Sequence, residues 1–291
     1  MRIARAVATV VLALSPSLAI AGGLPSYTQP KTEQPNANAD ASGEAQEGKL
    51  SARDVTARLF KAAPGSRPDL NKFNLTRLDL AELDFKHSKL DGADLYGADL
   101  SRANLANCSL VGARLDRATI TAADFSGADL TDARILRPTI FTTLEIDTAE
   151  APKFAGAKLV RIRSDGLLDR ADFSGADLTG AVFGGGATRE ETLFSPASLT
   201  AANFTKAIVK DAKFPGAALK YARFIDADVS GANFRGANLT GAMFRGANLA
   251  GADMTGANLD ETDLRGARGL DQVIGLSSVT NFESARRDPI P

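Results

Sequence analysis

Residues 227–264 read ADVSG-ANFRG-ANLTG-AMFRG-ANLAG-ADMTG-ANLDE-TDL, and the spacing inside this stretch decides the fold. A large apolar residue falls at every fifth place: Val229, Phe234, Leu239, Phe244, Leu249, Met254, Leu259 and Leu264. The beat holds for fifteen units over 194–264 and, one register out, for fifteen more over 70–140. A period of five suits neither regular element, since every fifth side chain precesses by about 140° on an α-helix and flips to the opposite face on a strand. The pattern fits a chain that turns a corner every five residues and points the same place inward each time.

The places around each beat divide the work. Two before the large residue stands a small one: Thr192, then Ala from Ala197 through Ala257, closing at Thr262. Asp or Asn often comes just before the large residue, as at Asp94, Asp99, Asn104, Asn233, Asn238 and Asn248. Gly often follows two later, as at Gly231, Gly236, Gly241, Gly246, Gly251 and Gly256. Leu and Phe supply burial, roughly 1.5–3 kcal/mol per side chain. Ala fits where the coil is too tight for more, and Gly tolerates positive φ at the corner. Asp and Asn bond the nearby backbone of a turn.

This unit, seen as Ala93-Asp94-Leu95-Tyr96-Gly97 or Ala237-Asn238-Leu239-Thr240-Gly241, resembles that of the pentapeptide-repeat family, A-[D/N]-L-x-x. The resemblance covers both runs and implies an all-β fold, the family's right-handed quadrilateral β-helix with four pentapeptides per coil. About ten coils stacked ~4.8 Å apart would be roughly 45 Å long. The early units depart from the family's pattern, because Phe73, Leu78 and Leu83 take the small-residue place. The first coils are therefore expected to be wider or distorted.

A stacked coil has open edges that must be covered. Residues 51–65 read as a short capping helix, with Ser51 as N-cap, Asp54 three residues on, and Val55, Leu59 and Ala63 on one face. Pro64-Gly65 stops it. Repeat coils are expected over 66–143 and 194–268, with an irregular, register-shifted stretch over 144–193. There the anchors step from Ile140 to Phe154, from Leu159 to Leu168 and from Phe183 to Phe194, each one residue off a multiple of five. Bulges absorbed by the coil explain these steps, and a recognition loop is the alternative. Arg161, Arg163 and Arg170 make one segment basic, while Gly184-Gly185-Gly186 is permissive but lacks the Lys-Ser/Thr of a phosphate loop. Residues 269–291 are expected to form a C-terminal cap and tail, with Leu270, Val273, Ile274, Leu276 and Phe282 closing the end and 286–291 fraying.

Residues 1–21 read as a secretory signal peptide: Arg2 and Arg5, an apolar stretch over 6–14, then Ala19-Ile20-Ala21 as the cleavage site. The apolar stretch is too short to span a bilayer, so no integral span is expected after signal removal. Residues 22–50, rich in Pro, Asn, Gln, Ala and Glu, read as a disordered linker. A periplasmic or secreted location follows. Net charge is −1, so the coils are nearly neutral.

Catalysis needs converging groups, and the lone His87 has neither a metal cluster nor a nucleophile to serve. No catalytic residue, cofactor or metal site is expected. Cys108 replaces Ala two before Leu110 and reads as a small buried hydrophobe. Asp recurs where Asn also recurs, which fits turn bonding; a weak cation-binding structural rod is the alternative. The resemblance also offers a DNA-mimicking, gyrase-binding protein of the cytoplasm. That activity needs a strongly acidic surface, and both the near-neutral coils and the signal peptide count against it. No nucleic-acid partner is expected.

What remains is a non-enzymatic scaffold for an unidentified protein or cell-envelope component, with homodimerisation left open. If a coil is twenty residues, Ile225, Arg245 and Arg265 form one column, and Arg223, Met243 and Asp263 its neighbour. Apolar residues among arginines suit interface cores, so Arg223, Ile225, Met243, Arg245 and Arg265 form the candidate interaction face. A second apolar spot is Tyr96 and Leu136, with Phe141 around the corner.

Overall fold

The computed structural model describes residues 48–140, 148–184 and 196–288. The expected signal peptide, the linker as far as residue 47, Phe141, Gly185, Gly186 and Phe194 lie outside the described residues.

Each unit bonds in the same way. The amide of the inward large residue donates to a carbonyl of the next coil, as Leu95 does to Arg114 at 2.8 Å and Phe234 to Asp253 at 2.7 Å. The following small residue donates back across the corner, as Ala98 does to Leu95 at 3.0 Å. Asp and Asn bond their own turn: Asp94 Oδ1 accepts from the Tyr96 amide at 3.0 Å, and Asn238 Oδ1 from the Thr240 amide at 3.1 Å. The corner residue two after the anchor has positive φ, which explains the frequent Gly. At Gly246 (φ 70°) a Cβ would also lie 2.3 Å from Asp226 Oδ1.

Four parallel columns of bridges run along the stack. One joins Asp69, Lys89, Ser109, Asp129, Lys158, Asp177, Ile208, Asp228, Asn248 and Arg268. In both regular runs the partners are twenty residues apart, so the coil is twenty residues. Most rungs are single-residue bridges. Three widen into short parallel strands, β1 (Arg134–Ile135), β2 (Arg163–Ser164) and β3 (Val182–Phe183), in that order.

The irregular middle keeps three of the four columns intact, while the fourth carries no bridge among the described residues between Thr139 and Leu167. Asp124 pairs with Lys153, Lys153 with Asp172, and Asp172 with Asn203, so extra residues are absorbed without a change of direction. One step differs from the sequence reading. Between Leu159 and Leu168 no inward place is skipped: Ser164 occupies it, buried, and the next side is one residue short. After Phe183 the next inward residue among the described ones is Leu199, and Val182 and Ser198 stand on successive columns; the expected anchor Phe194 lies outside the described residues. The Ser164 hydroxyl has no hydrogen-bond partner among the described residues. Ser164→Val removes that desolvated hydroxyl and adds apolar volume. It should stabilise the fold by about 1 kcal/mol in a denaturant melt; a clear loss would show that the hydroxyl is bonded.

The inward places form one continuous core of Leu, Ile, Val, Phe and Ala. Aromatic rings collect on two opposed columns. Phe125, Phe154, Phe173, Phe204, Phe224 and Phe244 stack face to face, with centroids between 4.7 and 5.1 Å apart. Phe183, Phe214 and Phe234 stack at 5.0 and 5.3 Å. The two rows meet edge to face, as at Phe224 and Phe234, 5.6 Å apart and inclined at 81°.

Helix α1 (Ala52–Lys61) covers the first coil. Its capping box is complete: Ser51 Oγ accepts from the Asp54 amide at 3.2 Å, and Asp54 Oδ2 accepts from the Ser51 amide at 3.0 Å. Val55 and Leu59 are buried, whereas Ala63 lies beyond the helix end and is exposed. Lys86 Nζ donates to the Leu59 carbonyl at 2.8 Å and ties down the last turn. The expected distortion of the first coils is absent, since their turns and bridges match the later ones. Phe73, Leu78 and Leu83 fit because, among the described residues, no earlier full coil crowds them; they sit half-buried against the core that includes Val55 and Leu59. Arg58 stacks over the Phe73 ring at 4.9 Å. Residues 48–50, expected in the linker, already join the ladder, with Lys49 bridging Asn74.

At the other end the rungs widen. Asp253 pairs with Ile274, Asn258 with Thr280 and Asp263 with Arg286, so the units lengthen to six residues. The added residues form 3-10 turns at Leu270–Gln272, Leu276–Ser278 and Phe282–Ser284. Leu270, Val273, Leu276, Val279 and Phe282 pack half-buried on the core. Ile274, expected to help close the end, takes a bridge place and faces outward. Arg286, expected in a frayed tail, is a ladder rung, and Asp288 Oδ2 accepts from the Gly266 amide at 2.6 Å.

Candidate interaction face

The structure brings the five candidate residues to one side of the coil. Arg223, Met243 and Asp263 are successive rungs of one bridge column. Ile225, Arg245 and Arg265 each follow two residues later, just past the buried anchors Phe224, Phe244 and Leu264. Ile225 and Met243 are half-buried, not the fully outward pair the columns suggested. Rungs only about 4.8 Å away on either side shield them.

The arginines are less free than their spacing implied. Arg265 clasps Asp263 with Nε to Oδ1 at 2.9 Å and Nη2 to Oδ2 at 2.7 Å. Arg245 Nε lies 3.7 Å from the same Oδ2. The Arg265 hydrogen bonds hold the Asp263 carboxyl below its ordinary range and outweigh the burial that would raise it. Arg223 is exposed and makes no ion pair among the described residues. The face thus offers fixed guanidinium groups beside a small apolar step.

The Arg–Asp pairing sets an acid limit. Asp132 is held low in the same way by Arg161. A carboxyl lowered on folding adds stability that is complete above its unfolded value, about 3.9, and lost as pH falls through the lower folded value. Melting temperature should therefore be level down to about pH 5 and fall below about pH 4. The Arg265→Gln variant should show a shallower fall, because Asp263 then titrates nearer its ordinary value. Equal acid slopes would remove Asp263 from the account.

His87 is exposed at a corner, and Cys108 is buried in the small-residue place. Burial pushes the Cys108 thiol up to about 12, which leaves it protonated and unreactive at neutral pH. Among the described residues no group of three or more His, Cys, Asp or Glu is placed to hold a metal, and no helix is long and apolar enough to cross a membrane. The sequence reading missed the company around Tyr96 and Leu136. Asp116 stands between them in the same column, with Arg114 and Arg134 on its carboxylate. The twenty-residue spacing that selected Tyr96 and Leu136 also selects Asp116.

The family model for pentapeptide repeats matches eight copies, at 66–97, 98–135, 165–185, 197–236 and 232–268, over more than half of the chain. The chain belongs to the pentapeptide-repeat family. Its four bridge columns are the sides of the family's right-handed quadrilateral β-helix. Among solved structures it is similar to HetL, a pentapeptide repeat protein involved in heterocyst differentiation regulation from the cyanobacterium Nostoc sp. strain PCC 7120. That match has 23% identity and a TM-score of 0.53, covering 81% of this chain and 94% of HetL. QnrB1, a plasmid-mediated fluoroquinolone resistance protein, matches at 20% identity and a TM-score of 0.38, covering 74% and 88%. A pentapeptide repeat protein of the Arabidopsis thaliana thylakoid lumen matches at 27% identity and a TM-score of 0.19, covering 39% and 63%. The HetL likeness concerns the fold alone. No curated protein sequence matches the chain.

Proposed function

We propose that this pentapeptide-repeat protein is an exported, non-enzymatic scaffold, a stiff rod of about ten coils that presents flat faces to a protein of the cell envelope. The observation that carries this reading is the ladder: backbone bonds run along all four sides of the coil, and Ala, Leu and Phe fill the interior. A preformed surface of this kind loses little entropy on docking. Export rests on Arg2, Arg5, the apolar stretch over 6–14 and Ala19-Ile20-Ala21.

The face of Arg223, Ile225, Met243, Arg245 and Arg265 is the first place to look for the partner. A photo-crosslinking residue at Ile225, in cells of the native host, should trap a small number of envelope proteins. Arg245→Glu with Arg265→Glu should abolish that crosslink, with some loss of stability from the broken Asp263 pairing, while circular dichroism still reports a folded coil. An unchanged crosslink pattern would remove this face from the proposal.

A further inference from the structure

The second apolar spot of the sequence is, in three dimensions, a hollow. Tyr96, Asp116 and Leu136 stand on successive rungs of the side whose bridge column runs Asp94, Arg114, Arg134 and Arg163. With Arg117, Arg137 and Asp165 they line an open hollow of about 230 Å³. Its floor is already satisfied. Asp116, almost fully buried, accepts Arg114 Nε and Arg134 Nη2 on one carboxylate oxygen at 3.0 Å each, and the Leu136 amide on the other at 3.1 Å. Arg114 also lies over the Tyr96 ring, 4.5 Å from its centroid.

Charge is left over around this floor. Arg114, Arg134 and Arg163 occupy adjacent rungs, and Asp116 serves only the first two. Arg163 and Arg117 are exposed and make no ion pair among the described residues. The Arg137 guanidinium has only a long contact, 3.8 Å, to Asp165 Oδ2, while the Arg137 amide donates to Asp165 Oδ1 at 2.8 Å.

We propose that this hollow docks an acidic peptide segment of a partner protein, with one apolar side chain against Tyr96 and Leu136 and carboxylates on Arg117 and Arg163. The proposal rests on the scaffold reading above and gives it a second face. Complementary charge selects the occupant. A guanidinium takes a carboxylate through two parallel hydrogen bonds, and here unpaired guanidiniums flank an apolar wall, as at an interface core. Asp94, Asp116 and Asp165 interleave with the arginines and disfavour a uniformly charged polyphosphate. A peptide can space its carboxylates between apolar residues. The rung amides of Asp94, Arg114, Arg134 and Arg163 are already bonded along the ladder, so a peptide is read by side chains and not by strand addition.

A random peptide library displayed on phage and selected on the immobilised full chain tests the site. Selected peptides should be acidic with a central aliphatic or aromatic residue. The best of them, fluorescein-labelled and followed by anisotropy, should lose about tenfold or more in affinity on Arg117→Glu with Arg163→Glu. The milder Arg117→Gln with Arg163→Gln should lose less, and circular dichroism reports whether each variant is folded. Arg245→Glu with Arg265→Glu should bind like wild type. Selection of no peptide, selection of basic or uncharged peptides, or unchanged binding in the Arg117 and Arg163 variants overturns the proposal. So does a single-stranded oligonucleotide or a phosphatidylglycerol vesicle that binds with the same sensitivity to those variants. If the hollow fails while the Ile225 crosslink still depends on Arg245 and Arg265, the scaffold reading stands and this site alone falls.

Discussion

Replacing Phe224 by Ala is expected to cost about 3–5 kcal/mol of stability, the upper range for an aromatic deletion in a core. The ring lies between Phe204 and Phe244, each 4.7 Å away, and meets Phe214 and Phe234 edge-on at 6.4 and 5.6 Å. Its neighbours cannot close in, because their backbones are pinned by bridges on both sides, Arg223 to Met243 among them. The void therefore persists, and its cost adds to the lost transfer free energy. Denaturant unfolding checks this, read together with hydrogen exchange at the flanking rungs, since coils contact only their neighbours. A cost near 1 kcal/mol would mean that the stack collapses freely around a missing ring.

The second large effect is expected at the lid. Leu59→Asp places a charge in a buried apolar site and should undock α1, whose Val55 and Leu59 cover the first coil. The helix has little reason to persist alone, as isolated helices of this length are marginal in water. Its loss uncovers Phe73, Leu78 and Leu83 together with an open ladder edge, which is a template for pairing with other chains. The variant should lose helical circular dichroism, melt about 2–5 kcal/mol less stably and self-associate with rising concentration in light scattering. A variant that keeps the wild-type size and stability would show that the helix covers nothing essential.

Much of this architecture was legible in the chain because the periodicity speaks directly about backbone geometry. One inward place in five, a small residue two before it and a corner Gly two after it define the coil, and the bonds at Leu95, Ala98 and Asp94 follow that division. The end effects were less legible. Phe73, Leu78 and Leu83 read as a distortion, because the pattern says nothing of which coil has no neighbour. The six-residue units after Arg268 read as a cap, because their beat is set by 3-10 turns and not by the five-residue corner. Ser164 broke the apolar beat and hid a regular place.

The site was legible only as columns. Spacing placed Arg223, Met243 and Asp263 on one side, yet it could not show that Arg265 clasps Asp263 or that Arg114 and Arg134 share Asp116. Those pairings depend on side-chain reach between rungs, and composition does not encode them. Near neutrality over the whole chain likewise concealed a side on which arginines outnumber their carboxylates.

Proximity labelling in the native host tests the central claim most directly, with the labelling enzyme at the C-terminus and residues 1–21 retained. An exported scaffold predicts enrichment of a few envelope proteins, with the enrichment reduced by Arg245→Glu and Arg265→Glu. Labelling of gyrase and other cytoplasmic proteins would contradict both the export and the partner class.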